Sequence, residues 1–144
     1  ILSLLIDDIE ENLLSTIRDA TEEGASALSN LECILEAHLN DVEGRKAASF
    51  IVITEAMGFD GIGLSPRVAL MLTHYLEFIR GVIKNGIQDV SIRSDVGVDA
   101  AATAFLGLIQ STATLWALNS YSTPLAERRD QMWRIYKKGV TSTV

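Results

Sequence analysis

A stretch without any charged residue, AAATAFLGLIQSTATLWAL at positions 100–118, is the strongest structural signal in this chain. In helical phase only Gln110 and a few hydroxyl groups interrupt an apolar surface that runs all the way round. A helix on the outside of a small domain usually keeps one polar face. The stretch therefore predicts a helix that is covered on both sides, and something other than water has to meet its second side.

Two seams of different size run along this predicted helix. Small residues recur at alternating steps of four and three, namely Ala100, Ala104, Gly107, Ser111 and Thr114. A neighbouring seam is larger and comprises Ala101, Phe105, Leu108, Thr112 and Leu115. Because small side chains let a second helix axis approach closely, one seam can pack on the domain's own core while the other meets a partner.

The rest of the chain also has helical periodicity and almost no strand pattern. We predict six helices, at about 1–22, 30–40, 43–57, 65–86, 98–119 and 123–139. The second is expected to begin at a Ser29–Asn30 cap, and the fourth at Ser65 with Pro66 in its first turn. The first carries a buried stripe of Leu2, Ile6, Ile9, Leu13 and Ile17. The predicted fold class is therefore all-α, with six helices.

Length and charge restrict the function. The 144 residues, 48% of them hydrophobic, suit one domain with a proper core, so we treat 1–144 as a single unit. A formal charge of −7 repels nucleic acid phosphates, so this chain should not bind DNA by itself. The lone Cys33 and the absence of an export signal favour a reducing compartment, the cytoplasm.

Candidate catalytic and metal-binding residues are scarce. His38 and His74 lack a second ligand at metal spacing, and the paired Glu-x-x-His motifs of di-iron bundles are absent from the sequence. The glycines at 61 and 63 follow a helix and lack the later glycine and lysine of a phosphate loop. We therefore expect no enzyme activity, no catalytic residue, no metal and no cofactor.

The sixth predicted helix has the same surplus of apolar surface as the fifth, with Leu125, Met132, Trp133, Ile135, Tyr136 and Val140 on two adjacent stripes. A second copy of the chain, related by a twofold axis, is the simplest cover for both helices. The uncharged run 100–126 is also long enough to span a bilayer, although its hydroxyl and amide groups argue against this. A third interpretation is that the helix 98–119 is buried at the centre of a monomer.

The sequence resembles the C-terminal domain of TetR-family transcriptional regulators. The resemblance is sharpest in IRSDVGVDAAATAFLGLIQSTATLWAL, residues 92–118, followed by STPLAERRDQMWRIYKKGV, residues 122–140. An Ile-Arg-x-Asp turn, an alanine-rich helix with Phe-Leu-Gly-Leu-Ile-Gln, a Pro-Leu step and a final helix with tryptophan occur in this order. Such regulators carry a helix-turn-helix domain before this one. We therefore expect that domain to be missing from these 144 residues, in agreement with the acidic charge and the start at Ile1.

The resemblance implies an architecture and a function. The last two helices would form a four-helix bundle with the same pair of a second subunit, and the first helix would join the pocket to the DNA-binding domain. Operator DNA would be bound only through the missing domain. The dimer interface predicted from the two seams and the sixth helix comprises Ala104, Gly107, Leu108, Ser111, Thr114, Leu115, Leu125, Met132, Trp133 and Tyr136.

An effector pocket is expected between the first, third and fourth predicted helices, closed below by Phe105. Large adaptable apolar side chains with a few polar groups are typical of sites for small organic ligands. The predicted lining comprises Ile17, His38, Phe50, Thr54, Glu55, Met57, Met71, His74, Tyr75, Phe78 and Phe105. The effector would be a small apolar or aromatic molecule. Two alternatives stay open: these residues simply fill the core, or the chain is a stand-alone helical carrier or enzyme for an apolar molecule.

Overall fold

The computed structural model describes residues 2–45 and 65–142, and the secondary structure in these ranges is α-helical without strands. The helices are α1 (Leu2–Asp19), α2 (Ala27–Gly44), α3 (Ser65–Gln88), α4 (Val98–Leu118) and α5 (Leu125–Val140). The all-α prediction is therefore confirmed. The third predicted helix, 43–57, lies outside the described residues beyond position 45, so the number of six helices stays a prediction.

The start of α2 differs from the prediction. Ser26 is the capping residue, because its Oγ accepts a hydrogen bond from the Ser29 N–H at 3.1 Å. Asn30 lies inside the helix, and its Oδ1 accepts a hydrogen bond from the Glu22 N–H at 3.0 Å. The predicted Ser29–Asn30 cap is wrong because the Asn30 side chain ties down the preceding turn instead of its own helix. At its other end α2 continues past position 40, since Val42 extends the buried stripe.

Side chains in the turn after α3 accept hydrogen bonds from the first N–H groups of α2. Asp89 Oδ2 accepts a hydrogen bond from the Ala27 N–H at 2.8 Å, and Ser91 Oγ accepts one from the Leu28 N–H at 3.2 Å. The first N–H groups of a helix have no partner inside it, and a negative charge is favourable there. Burial raises the pKa of Asp89, but hydrogen bonds from Ser91 and the Ala27 N–H outweigh this and lower it. The ionised carboxylate therefore ties α3 to α2.

The central helix is α2, which packs against α1, α3, α4 and α5. Its apolar stripe belongs to one continuous core whose most deeply buried side chains include Leu31, Ile34, Leu35, Tyr75, Ile79, Ile83, Phe105 and Ile109. A smaller cluster joins α1 to α3 through Ile6, Ile9, Val68 and Met71. The N-terminal half of α1 is thus attached to α3 by a separate group of contacts.

One face of α4 lies in the core and the other lies outside. Phe105 and Ile109 are buried, whereas Leu115 exposes 62% of its surface. The outer face includes four residues of the small seam, which are exposed: Ala100, Ala104, Gly107 and Ser111. Within the described residues, α4 is also the one helix long and apolar enough to cross a membrane, a test that core helices of soluble proteins pass as well.

Candidate functional site

A cavity of about 50 Å³ lies between α1, α2, α3 and α4. Each of these helices contributes to its wall, which is mostly apolar. The lining residues are Ile9, Leu13, His38, Asp41, Val42, Met71, Leu72, Tyr75, Leu106, Ile109, Gln110 and Ala113. A molecule in this cavity would contact four helices at once, so its size would affect how far apart they lie.

Two neutral side chains form a hydrogen-bonded pair in this wall. The Nδ1 atom of His38 lies 2.8 Å from the hydroxyl oxygen of Tyr75, and both residues are buried. Burial lowers the pKa of His38 to about 4 and raises the pKa of Tyr75. At pH 7 both groups are therefore uncharged, and they offer hydrogen bonds without charge to anything inside the cavity.

The other polar residues of the wall are Asp41 and Gln110. Asp41 Oδ1 lies 3.3 Å from Arg45 Nε. Burial raises the pKa of Asp41, while the positive charge of Arg45 opposes that rise. The described lining residues include one carboxylate, that of Asp41, and no lysine or arginine.

A charged cluster joins α1 to α3 beside the cavity. Glu10 follows the wall residue Ile9, and its carboxylate accepts hydrogen bonds from Arg67 and His74. Arg67 Nε also donates to Asp7 Oδ1 at 2.6 Å. Burial raises the pKa of Glu10, but the hydrogen bonds from His74 and Arg67 and their charges lower it overall. Charge and apolar contact thus hold the same part of α1 against α3.

The histidines already have protein partners, His38 with Tyr75 and His74 with Glu10. Among residues 2–45 and 65–142, no group of three or more histidine, cysteine, aspartate or glutamate side chains is placed to hold a metal ion. The described arrangement is that of a small apolar chamber with a few fixed polar groups.

A family model for the C-terminal region of YsiA-like proteins, a TetR C-terminal family, matches residues 7–139. The chain belongs to this TetR family. The match extends from α1 to the end of α5, so it includes the helices around the cavity and the exposed face of α4. The resemblance to the C-terminal domain of this family, read from residues 92–140, is confirmed.

Two matches, one to a protein sequence and one to a solved structure, come from Bacillus subtilis. The fatty acid metabolism regulator protein of strain 168 is 21% identical over 127 residues, which are 88% of this chain and 65% of that protein. The crystal structure of the transcriptional regulator FadR in complex with stearoyl-CoA matches with a TM-score of 0.77 and 20% identity. That match covers 96% of this chain and 72% of the FadR chain, and it shows a shared fold. Both matches are named as regulators.

Three of the residues predicted to line the pocket of this TetR-family domain lie in the cavity wall, namely His38, Met71 and Tyr75. The predicted residues Phe50, Thr54, Glu55 and Met57 lie outside the described part of the chain. Their contact with an effector stays a prediction.

The other predicted lining residues have different surroundings. Phe105 does not close the described cavity but packs edge-on against Tyr136 in the core, with ring centroids 5.4 Å apart. Ile17 is buried in the same core, and Phe78 is half-buried beside an open groove at the other end of α3. His74 bonds to Glu10 instead of facing the cavity.

Several residues of the cavity wall were not predicted from the sequence. Leu106, Ile109 and Ala113 recur at three- and four-residue steps on α4, one position away from the seam of Phe105. Their period was a usable signal, because it marks a third face of the helix. Ile9 and Leu13 belong to the predicted stripe of α1, but periodicity does not tell which turn of a stripe faces a cavity.

The predicted interface residues of the TetR-family domain fall into two groups. Those on the outer side are Ala104, Gly107, Ser111 and Leu115, which are exposed, and Leu108, Thr114 and Met132, which are half-buried. Leu125, Trp133 and Tyr136 are instead buried in the protomer's own core, and the Tyr136 hydroxyl donates to the Ala101 carbonyl at 2.8 Å. The two stripes of α5 are similar in composition, so the sequence did not indicate which one faces inward.

Proposed function

We propose that this TetR-family domain senses a lipophilic effector of the long-chain acyl-thioester class and signals through α1 to a DNA-binding domain. The observation that carries the proposal is the mostly apolar cavity to which α1 contributes Ile9 and Leu13. Ligand sites of regulators and carriers have this mixture of an apolar lining and a few polar groups. The ligand class is supported by the two B. subtilis matches, a sequence named for fatty acid metabolism and a structure in complex with stearoyl-CoA.

The small volume of the cavity supports a wall whose helices move when a ligand binds. Its volume of about 50 Å³ is far below the roughly 300 Å³ or more of sites that enclose small organic ligands. A long acyl chain needs more room than this described cavity offers, and the surrounding helices would move apart to admit it. A ligand that binds the widened arrangement better than the narrow one shifts the population toward it. Because α1 contributes to the wall, its position would change with the ligand.

Dimerisation is the second part of the proposal. The exposed small seam of α4 and the half-buried Met132 of α5 are the surface that a second copy would cover. Leu115, Leu118 and Ile135 add large exposed apolar groups to the two helices. Contiguous exposed apolar surface marks interaction sites, and a twofold axis lets one patch pair with itself. Leu125, Trp133 and Tyr136 would support this surface from the core side.

Operator DNA would be bound by a separate domain of the regulator. The charge of −7 on this chain opposes contact with phosphates. We further propose a cytoplasmic protein in which the second subunit, and not lipid, covers the outer face of α4.

The effector proposal is tested by filling the cavity. Ala113→Leu adds three carbons to a buried wall residue of α4, so stearoyl-CoA should bind at least about tenfold more weakly than to the unmodified chain. Ala69→Leu makes the same change at an exposed position of α3 and should leave binding unchanged. Isothermal titration calorimetry measures both affinities. Absence of stearoyl-CoA binding to the unmodified chain, or an unaltered affinity in Ala113→Leu, would overturn the proposal.

A further inference from the structure

The charged cluster of Asp7, Glu10, Arg67 and His74 connects α1 to α3 at several points. Arg67 donates hydrogen bonds to two carboxylates of α1, from Nε to Asp7 Oδ1 at 2.6 Å and from Nη2 to Glu10 Oε2. His74, further along α3, has its Nδ1 atom 2.5 Å from Glu10 Oε1. Both oxygens of the buried Glu10 carboxylate are therefore held by α3.

The same turns of the two helices carry part of the cavity wall. Glu10 directly follows Ile9, and Arg67 lies one turn before Met71. Ile9 and Met71 line the cavity and also belong to the apolar cluster that joins the two helices. If α1 and α3 move apart here, a shift of about 1 Å is enough to break the bonds of Arg67, because a separation near 3.6 Å is no longer a hydrogen bond.

The N-terminal half of α1 is attached to α3 by an apolar cluster of its own. Within the described residues the buried members of this cluster are Ile6, Ile9, Val68 and Met71. The C-terminal half of α1 belongs to the main core instead, through Leu13 and Ile17. Moving the N-terminal half away from α3 therefore breaks the smaller cluster and leaves the main core intact. The bonds between charged groups contribute a correspondingly large share of this attachment.

We infer that the charged cluster opposes effector binding, because it stabilises the narrow arrangement of the cavity and is broken when α1 moves away from α3. A ligand that needs the wider arrangement binds only the fraction of molecules that have adopted it, and its apparent affinity is reduced by that fraction. The cluster thereby sets the effector concentration at which the domain responds. This inference rests on the proposed function, because the ligand that widens the cavity is the proposed lipophilic effector.

Breaking the cluster from either helix should tighten the binding of stearoyl-CoA. Arg67→Gln and Glu10→Gln both remove the contact between Arg67 and Glu10, so calorimetry at pH 7.5 should show each variant binding at least about fivefold more tightly than the unmodified chain. Charge alone predicts a different result. The phosphates of the ligand are negative, so losing the Arg67 cation would weaken binding while losing the Glu10 carboxylate would strengthen it. Tighter binding in both variants therefore identifies the contact as the cause.

Two exposed residues of α1 provide matched controls. Arg18→Gln and Glu11→Gln make the same substitutions outside the cluster, and each should change the affinity by less than about threefold. A double variant with Arg67→Gln and Glu10→Gln should bind within about threefold of the tighter single variant, because both substitutions remove one shared contact.

The position of α1 can also be measured as a distance. The sequence contains one cysteine, Cys33, which is exposed on the central helix α2. Leu4→Cys adds a second labelling site at an exposed position of α1. With spin labels at both positions, double electron–electron resonance should show the distance distribution changing when stearoyl-CoA binds. Ligand-free Glu10→Gln in the same background should already populate the distances of the ligand-bound state.

The outcomes separate this inference from the proposed function. If folded Arg67→Gln and Glu10→Gln bind stearoyl-CoA no more tightly than the unmodified chain, or change in opposite directions, the inference is overturned and the proposed function stands. If stearoyl-CoA binds neither the unmodified chain nor the variants, the proposed function is overturned and the inference falls with it. Helical circular dichroism shows whether each variant is folded. Asp7→Asn removes the more exposed contact of Arg67 and should tighten binding by about twofold, which tests the inference if a variant at Glu10 or Arg67 does not fold.

Discussion

At the scale of the residue, Gly86 shows how close packing outweighs helix propensity. A Cβ atom at this position of α3 would lie 2.4 Å from Ile92 Cδ1 and 3.1 Å from Ala27 Cβ. Because Gly86 has no side chain, the turn after α3 can fold back against it, and the Ile92 N–H donates to the Gly86 carbonyl at 2.9 Å. It also brings Asp89 of the same turn to the start of α2. Glycine therefore fits this position of the helix better than alanine does, although alanine has the higher helix propensity by roughly 1 kcal/mol.

Two glycines of α3 should respond in opposite ways to alanine. Gly86→Ala should lower the free energy of unfolding by about 1–3 kcal/mol, because the buried Ile92 side chain has to shift. Gly81→Ala, where a Cβ meets nothing within 4 Å, should raise it by up to about 1 kcal/mol. Urea unfolding at pH 7 measures both. Equal stability of the two variants would show that the close approach is not required.

At the scale of the element, the attachment of α1 to α3 is the feature through which the proposed signal would pass. Ile6 and Ile9 pack on Val68 and Met71, and Glu10 beside them accepts hydrogen bonds from α3. Ile9 and Met71 also line the cavity. The cavity wall, the apolar contacts and the ion pairs thus share one short segment of α1. In the proposed mechanism, a change at the cavity would therefore alter the position of the N-terminal end of α1.

The ion cluster should make this attachment sensitive to acid. The pKa of Glu10 is lower in the folded chain than the usual value near 4.3, so its carboxylate stabilises the fold at pH values above that range. The stabilisation is lost as pH falls through the lowered pKa, because the unfolded chain binds the proton more tightly. At pH 7 Glu10→Gln should therefore lower the free energy of unfolding by about 1–3 kcal/mol. This loss relative to the unmodified chain should shrink toward pH 4 and below. Urea unfolding at several pH values measures it.

Glu11→Gln provides the control for this experiment. Glu11 is the next residue of α1 and is exposed, so its replacement changes the net charge equally without touching the cluster. It should change stability by less than about 0.5 kcal/mol at pH 7. If the loss of unfolding free energy caused by Glu10→Gln stayed constant from pH 7 to pH 4, the ionisation of Glu10 would not support the attachment of α1 to α3.

At the scale of the whole molecule, one face remains for a partner after the core is formed. The buried side of α4 meets α3 and α5, while its small residues and Leu115 lie outside. On α5, Ile135 is 71% exposed although Trp133 and Tyr136 are buried. The proposed second subunit would cover these groups and complete the burial that the apolar sequence of 100–118 predicts.

Ser111→Glu tests this assembly. A glutamate in the small seam would be buried without a partner, so the dimer dissociation constant should rise at least about a hundredfold. Ser29→Glu makes the same substitution on the exposed side of α2 and should leave the dimer intact. Light scattering coupled to size exclusion at micromolar concentration gives the mass. A monomeric unmodified chain, or a Ser111→Glu protein that remains dimeric, would refute the interface.

The sequence by itself determined the all-α class, the five described helices, the family and the buried stripe of α1. Ile6, Ile9, Leu13 and Ile17 were placed on one face of α1, and all four are buried. Such patterns depend on residues within a few positions of one another, so they can be read without the rest of the chain. The start of α2 was harder, because Asn30 bonds to the preceding turn while Asp89, 62 positions from Ala27, accepts a hydrogen bond from the Ala27 N–H.

Only the tertiary structure decided the cavity and the charged cluster. Glu10 and His74 are 64 positions apart, and nothing in the periodicity of either helix pairs them. Similarly, Leu13 and Ala113 meet at one chamber because four helices cross at particular distances. A stripe specifies which side of a helix is buried, but a void or an ion pair depends on how two stripes are aligned along their axes. That alignment is a property of the packed molecule, since it is set by the side-chain volumes and charges of all the helices together.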